Sequence, residues 1–154
     1  MDTMLKAGQQ ELVIARDLNA ARERVYAAWA DPRKAVLWWA PQGCDLLSCE
    51  MDLRPGGAWL RRMLLSDGSV IVKRGVYHEV VPPARLVFTY TTDYADGATD
   101  PDTLVTLTFD ELGPKRTRLT LRHTQFQTEE SRVSHLGGWT TCIERFATYI
   151  DRTP

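Results

Sequence analysis

Over its central part the chain alternates apolar and polar residues with a period of two, and this pattern constrains the fold more than any other feature. The alternation runs from after Pro41 to about Phe126 and is cleanest where Val105, Leu107 and Phe109 alternate with threonines. Successive side chains of a strand point to opposite faces, so each such run indicates a strand with one buried face. Short turn sequences rich in Gly and Pro separate the runs, which predicts an antiparallel meander.

The last segment changes to a helical period. Its apolar residues recur at steps of three or four, as a helix with one apolar face requires. They are Leu136, Trp139, Ile143, Phe146, Ala147 and Ile150. Thr128 can cap the start of this helix, and Gly137-Gly138 lies inside it. A glycine pair there indicates either the close approach of another group to the helix backbone or a break into two helices.

The N-terminal part adds one strand and two short helices. The strand is predicted from Glu11 to Leu18, Asn19 can cap the first helix, and the second helix is predicted from Arg33 to Trp39, closing at Pro41. An antiparallel sheet with one apolar face needs a cover, which the C-terminal helix is long enough to provide. We therefore predict an α+β helix-grip fold, with a curved antiparallel sheet of about seven strands wrapped around the C-terminal helix. We expect a single domain over residues 11–150, with flexible tails at 1–10 and 151–154.

The composition excludes several function classes. The 154 residues carry a net charge of -1, which lacks the basic footprint of nucleic-acid binding. No apolar run suits a signal peptide or a membrane span, so we expect a cytoplasmic protein without membrane contact. The three cysteines are an odd number, which argues against a disulfide framework. Cys44 and Cys49 should point to opposite faces of a strand, and His78 and His135 lack metal-site spacing, so we expect neither metal nor cofactor.

Several segments occur in the order in which a known family has them. They are Asn19-Ala20-Ala21 leading to Val25-Tyr26-Ala27-Ala28-Trp29, Trp38-Trp39-Ala40-Pro41, Asp52-Leu53-Arg54-Pro55-Gly56-Gly57, Val81-Pro82-Pro83-Ala84-Arg85-Leu86-Val87-Phe88-Thr89, and Gly138-Trp139 followed by Phe146 and Tyr149-Ile150. From about Glu11 to Ile150 the chain resembles the activator of heat-shock protein 90 ATPase homologues (AHSA-like) of the START-like (SRPBCC, Bet v-like) superfamily. The resemblance implies a helix-grip fold and a range of roles, since related domains include lipid and sterol carriers, polyketide cyclases and hormone receptors.

The Asp67-Gly68 hairpin decides which central side chains point inward. A two-residue turn would pair Arg61 with Arg74 and Arg62 with Lys73, which places two pairs of like charges opposite each other. A three-residue loop with Gly68 left-handed leaves only Arg61 opposite Lys73 and turns Glu79 toward the same face, and we expect this second register. The predicted cavity wall then consists of Trp39, Trp59, Met63, Tyr77, Phe88, Tyr90, Leu107, Leu121, Trp139, Ile143 and Phe146, with Arg61, Glu79 and His123 as polar points. Apolar walls with a few polar groups suit a small lipid- or polyketide-like molecule, although the same aromatics also suit a filled core.

His123 is the best candidate for acid–base chemistry, because it is a histidine at an inward position of a clean strand pattern. Glu79 and Arg61 can form a buried ion pair. This pair either orients a polar group of a ligand or only compensates its own two charges. A histidine on an apolar face is also commonly a hydrogen-bonded core residue, so both interpretations stay open.

Three functions follow from these observations. The first is a non-catalytic binder of a small apolar or amphipathic molecule. The second is an enzyme of the cyclase or hydrolase kind that uses His123 with Glu79 or Arg61. The third is a module that binds a chaperone or another protein through its surface. Leu60, Val70 and Val72 on the outer face would also suit a homodimer.

Overall fold

One curved antiparallel sheet carries most of the chain and packs against the C-terminal helix. The computed structural model describes residues 10–39 and 43–153. The elements are β1 (Leu12–Leu18), α1 (Arg22–Trp29), α2 (Pro32–Ala35), β2 (Asp45–Met51), β3 (Ala58–Leu64), β4 (Val70–Val81), β5 (Arg85–Asp93), β6 (Thr103–Gly113), β7 (Arg116–Thr124) and α3 (Glu129–Arg152). The seven strands lie in the order β1-β7-β6-β5-β4-β3-β2. This arrangement confirms the predicted helix-grip fold.

The core lies between the concave face of the sheet and the helices. Trp29 of α1 and Trp38, just after α2, both contact Phe146 of α3, with ring centres 5.2 and 4.5 Å apart. Tyr26 contacts Phe109 of β6 at 5.3 Å. The inward residues of β6 and β7 are almost completely buried under this aromatic layer. The two short helices therefore close one end of the concave face, and α3 covers its middle.

Helix α3 is continuous through its glycine pair. The Thr128 hydroxyl accepts a hydrogen bond from the Ser131 amide at 3.2 Å, which confirms the predicted cap. Neither predicted reason for Gly137-Gly138 is found. The helix does not divide, and a Cβ atom added at either glycine would meet no atom within 4 Å. Gly137 is exposed, whereas Gly138 is half-buried and lines a partly open cavity.

The N-terminal helices differ in detail from their sequence predictions. Ala21 is the N-cap of α1 and makes no side-chain cap bond, so Asn19 is not the cap. Helix α2 ends at Ala35, earlier than predicted. Trp38 lies in the turn that follows it, and Trp39 comes directly after this turn. Asp31 caps α2 by accepting from the Arg33 amide at 2.9 Å. The prediction for Ala40 and Pro41 lies outside the described residues.

The β3–β4 hairpin has the predicted register. Arg61 lies opposite Lys73, and Leu65 and Ser69 close a loop of three residues. Gly68 in this loop has a φ of +87°, a conformation that glycine adopts without strain. Asp67 accepts from the Ser69 amide at 2.8 Å. The inward direction of both Arg61 and Lys73 follows from this register.

Two bulges change which residues point inward. In β2 the register shifts between Leu46 and Ser48, so Leu47 is exposed and both Cys44 and Cys49 pack against the core. The expectation that these cysteines lie on opposite faces is therefore wrong. A bulge adds one residue to one strand and reverses the alternation beyond it. In the described part of the chain, no three His, Cys, Asp or Glu residues come together as metal ligands.

Several remaining predictions concern the surface and the chain ends. Leu60, Val70 and Val72 are half-buried rather than exposed. The expected tails lie mostly outside the described residues, but the Gln10 carbonyl accepts from the Phe126 amide at 3.1 Å and α3 includes residues 151–152. None of the helices within residues 10–39 and 43–153 combines the length and apolar character that crossing a membrane requires.

Candidate ligand-binding cavity

A partly open cavity of about 250 Å³ lies between strands β3–β5 and the middle of α3. Its wall is mainly apolar, and one ammonium group enters it. The lining residues are Trp39, Cys44, Met63, Leu65, Ile71, Lys73, Tyr90, Tyr94, Ser134, His135, Gly138, Trp139 and Cys142. The open space at Gly138 belongs to this cavity, since a side chain at that position would enter it.

The structure brings four of the predicted wall residues to the cavity, namely Trp39, Met63, Tyr90 and Trp139. The others are buried in the core and do not line it: Trp59, Tyr77, Phe88, Leu107, Leu121, His123, Ile143 and Phe146. Phe88 shows why, since its ring centre lies 5.5 Å from that of Trp59 and 5.8 Å from that of Tyr77. These aromatic side chains fill the concave face with one another, which leaves the cavity nearer to the β3–β4 hairpin.

Lys73 is the charged residue of the cavity wall that sequence reasoning passed over. Its ammonium donates to the Thr92 hydroxyl at 2.8 Å and lies 5.5 Å from the centre of the Tyr90 ring. Burial lowers the pKa of Lys73 to about 8, because the charged form loses its hydration, while the nearby charge of Asp100 partly opposes this effect. The predicted hairpin register could have identified Lys73 as a cavity residue, because it places Lys73 on the inward face opposite Arg61.

Arg61 lies beside the cavity and is almost completely buried, with 2% of its surface exposed. Its guanidinium stacks on the Trp39 ring at 4.5 Å and lies 5.3 Å from the Trp59 ring. Burial raises the pKa of the Cys142 thiol to about 12, and the positive charge of Arg61 opposes that shift. Because Cys142 lines the cavity, the charge of Arg61 acts on the cavity interior.

His123 is fully buried and both of its ring nitrogens are hydrogen-bonded. Trp139 Nε1 donates to His123 Nδ1 at 3.0 Å, so the proton of the neutral ring is on Nε2. Nε2 donates to the Thr103 hydroxyl at 2.6 Å, and Thr103 donates to the Tyr90 carbonyl at 2.7 Å. Burial lowers the pKa of His123 well below its ordinary value, as do the charges of His135 and Lys73. This chain of bonds fixes β6, β7 and α3 together.

Glu79 does not reach the interior. A bulge in β4 shifts the register between Tyr77 and Glu79, so both His78 and Glu79 are exposed. Glu79 instead forms an ion pair with Arg85 at 3.3 Å. The predicted inward position of Glu79 and its pairing with Arg61 are therefore wrong, and the bulge is the reason. His123 and Glu79 do not meet in a common site.

A second, more polar cavity of about 300 Å³ adjoins the first near the start of α3. Both are lined by Tyr90, Tyr94, Ser134 and His135. His135 Nδ1 donates to the Ser131 carbonyl at 2.8 Å, and the Tyr94 hydroxyl donates to Asp100 Oδ2 at 2.8 Å. Burial lowers the pKa of His135, and the charge of Lys73 adds to this effect. The two cavities therefore share part of their walls.

The curved sheet, the covering helix and the cavity between them define a helix-grip protein of the START-like superfamily. The sequence profile described as "Activator of Hsp90 ATPase homolog 1-like protein" matches residues 19–151, and the chain belongs to this family. This confirms the resemblance found in the sequence.

Solved structures of similar proteins agree with this assignment. The AHSA1 protein from Silicibacter pomeroyi is 25% identical with a TM-score of 0.81, over 92% of this chain and 97% of that one. A protein from Chromobacterium violaceum is 25% identical with a TM-score of 0.79, over 94% of this chain and 99% of that one. Among proteins of curated function, none matches the sequence. The comparisons therefore establish the fold and the family.

Proposed function

We propose that the protein binds a small amphipathic molecule in the cavity between the sheet and α3. The observation that carries this proposal is the composition of the cavity wall. Trp39, Met63, Ile71 and Trp139 provide apolar contacts, and Lys73 provides a polar group at one point. Binding sites for small molecules combine such apolar surfaces with a few polar groups that fix the orientation of the ligand.

The size of the cavity limits the ligand. A volume of 250 Å³ equals that of about eight water molecules in the liquid, so a ligand of roughly ten non-hydrogen atoms fills it. A short alkyl chain or a single aromatic ring with one polar group has this size. The apolar part would lie against Trp39 and Trp139, where its burial contributes about 25 cal/mol per Å² of apolar surface.

Octanol is a suitable probe, because it has a tail of the right size and no charge. We expect calorimetry to show saturable binding of octanol to the wild-type protein and thermal unfolding to show stabilisation by the ligand. Gly138→Leu should weaken octanol binding at least tenfold, because the new side chain enters the cavity, where nothing else occupies that space.

Gly137→Leu is the matched control. It makes the same chemical change one position earlier in α3, where the residue is exposed and an added side chain also meets nothing. Octanol should bind this variant as it binds the wild type. A lack of saturable octanol binding, or equal octanol binding by both leucine variants, would contradict the proposed site.

A further inference from the structure

Two positive charges lie directly opposite each other on the inward face of the β3–β4 hairpin. Arg61 is the Cα partner of Lys73, and each side chain points toward the covering helix. Like charges directly opposite each other on neighbouring strands destabilise the pair. Burial increases this effect, since 2% of Arg61 is exposed and Lys73 lies in the cavity wall. Such a pair needs a compensating negative charge.

The described residues do not provide that charge at ion-pair distance. The ion pairs within residues 10–39 and 43–153 include neither Arg61 nor Lys73. Arg74 on the outer face of the same strand differs clearly, because it forms an ion pair with Asp93 at 2.6 Å. The hydrogen bond from Lys73 goes to the neutral hydroxyl of Thr92. Within the described residues, neither inward cation therefore has a carboxylate at ion-pair distance. Asp100 acts on Lys73 through its charge, but its Oδ2 accepts from the Tyr94 hydroxyl at 2.8 Å. Buried charges are normally paired more closely than this.

Two buried donors beside the cavity also lack acceptors. Within the described part of the chain, neither Arg61 Nε nor Trp39 Nε1 has a hydrogen-bond partner. Trp39 lines the cavity, and the Arg61 guanidinium stacks on its ring. Buried polar groups are almost always satisfied in folded proteins. Both unsatisfied groups are donors, as is the ammonium of Lys73, so the missing partner is an acceptor.

We propose that the ligand is a small carboxylic acid whose carboxylate binds the Lys73 ammonium in the field of Arg61, with its apolar tail against Trp39 and Trp139. This inference rests on the proposed function and specifies its ligand class. A carboxylate adds three atoms to the tail, which leaves most of a 250 Å³ cavity for apolar contact. A phosphate group would add five and leave less. The carboxylate accepts charge-assisted hydrogen bonds, which are about twice as strong as neutral ones.

Three probes with eight carbon atoms each test the head group: octanoate, octanol and octylamine. By calorimetry near neutral pH, we expect the wild-type protein to bind octanoate at least tenfold more tightly than octanol, and octylamine more weakly than octanol. Lys73→Met should remove the preference for octanoate and leave the octanol affinity within about threefold, because methionine keeps an unbranched apolar side chain. Arg74→Met is the matched control, since it removes a cation from the outer face of the same strand and should keep the preference.

The outcomes separate the two proposals. Equal affinity for octanoate and octanol in the wild type, or a preference that survives Lys73→Met, would overturn the carboxylate site and leave the proposed cavity intact. If none of the three probes binds, the proposed function fails as well.

A measurement on the unaltered protein does not depend on how any variant folds. The groups around the Lys73 ammonium are Arg61, Cys44, Tyr90, Tyr94, Asp100 and His135. The free protein has a Lys73 pKa of about 8, and a bound carboxylate raises it. The preference for octanoate over octanol should stay constant up to this pH and then fall as Lys73 loses its proton. A constant preference up to about pH 10, near the ordinary pKa of lysine, would contradict the role of Lys73. A fall that persists in Lys73→Met would assign the effect to a different group and would also contradict the role of Lys73.

Discussion

Lys73 should make the ligand-free protein less stable than it would be with a neutral side chain. Burial lowers its pKa from 10.5 to about 8, so the native state holds the ammonium less favourably than the unfolded chain does. We expect Lys73→Met to raise the free energy of unfolding by about 1–3 kcal/mol near neutral pH. This gain in the free energy of unfolding should be complete below the pKa of Lys73 in the native state. It should disappear as the pH rises from about 8 to 10.5, where Lys73 becomes neutral in both the native and the unfolded wild-type protein.

Urea unfolding at a series of pH values measures this effect. Arg74→Met serves again as the control, because the loss of its exposed ion pair with Asp93 should lower stability by at most about 1 kcal/mol. A loss of stability in Lys73→Met near neutral pH would show that the ammonium is stabilised in the free protein by contacts stronger than its bond to Thr92.

The bond between Thr103 and His123 should contribute to stability rather than to chemistry. Thr103→Val keeps the shape of the side chain but leaves the buried His123 Nε2 proton without an acceptor. We expect a loss of about 1–3 kcal/mol in urea unfolding. Thr106→Val on the outer face of the same strand should change stability by less than about 0.5 kcal/mol. Equal effects of the two substitutions would argue against the hydrogen-bond chain.

At the scale of elements, α3 carries a glycine pair whose two members have different roles. Gly137 is exposed and helical, and an added Cβ meets nothing. Gly137→Ala should therefore raise the free energy of unfolding by about 1 kcal/mol through helix propensity alone. Thermal unfolding with and without octanol measures the result. The octanol-induced shift should match that of the wild type, and a smaller shift would show that Gly137 also contributes to the cavity.

The strands show how far alternation can be followed along a sequence. The Arg61–Lys73 register was predictable from turn chemistry, because Gly68 supplies the left-handed residue of the loop. The bulges in β2 and β4 were not predictable from the sequence, since neither bulge has a glycine or proline as its extra residue. A bulge reverses the side-chain direction of every later residue in its strand until the next irregularity. The predicted inward direction of Glu79 was wrong for this reason. His123 follows an unbroken alternation and points inward as predicted.

At the scale of the whole molecule, the sequence predicted the sheet, its covering helix and the family. It did not predict where the interior stays open. The alternation of side chains along a strand identifies which aromatic side chains point inward. How these side chains pack against one another depends on three-dimensional distances. Trp59 and Phe88 therefore fill the concave face, and the cavity lies toward Lys73 and Gly138. A missing side chain on a helix and a pair of inward cations were the two signals in the sequence that point to this place.

The position of β1 has a consequence for how the chain is made. Strands β2 to β6 each pair with a neighbour in sequence, so they can assemble while the ribosome is still adding residues. Among the strands within residues 10–39 and 43–153, β1 is synthesised first, yet it pairs with β7 alone, with Leu12 opposite His123. Until β7 emerges, the backbone donors and acceptors of β1 stay unpaired on the nascent chain. Closure of the sheet therefore waits for the synthesis of β7, and α3, which follows β7 in the chain, docks after all seven strands have been made.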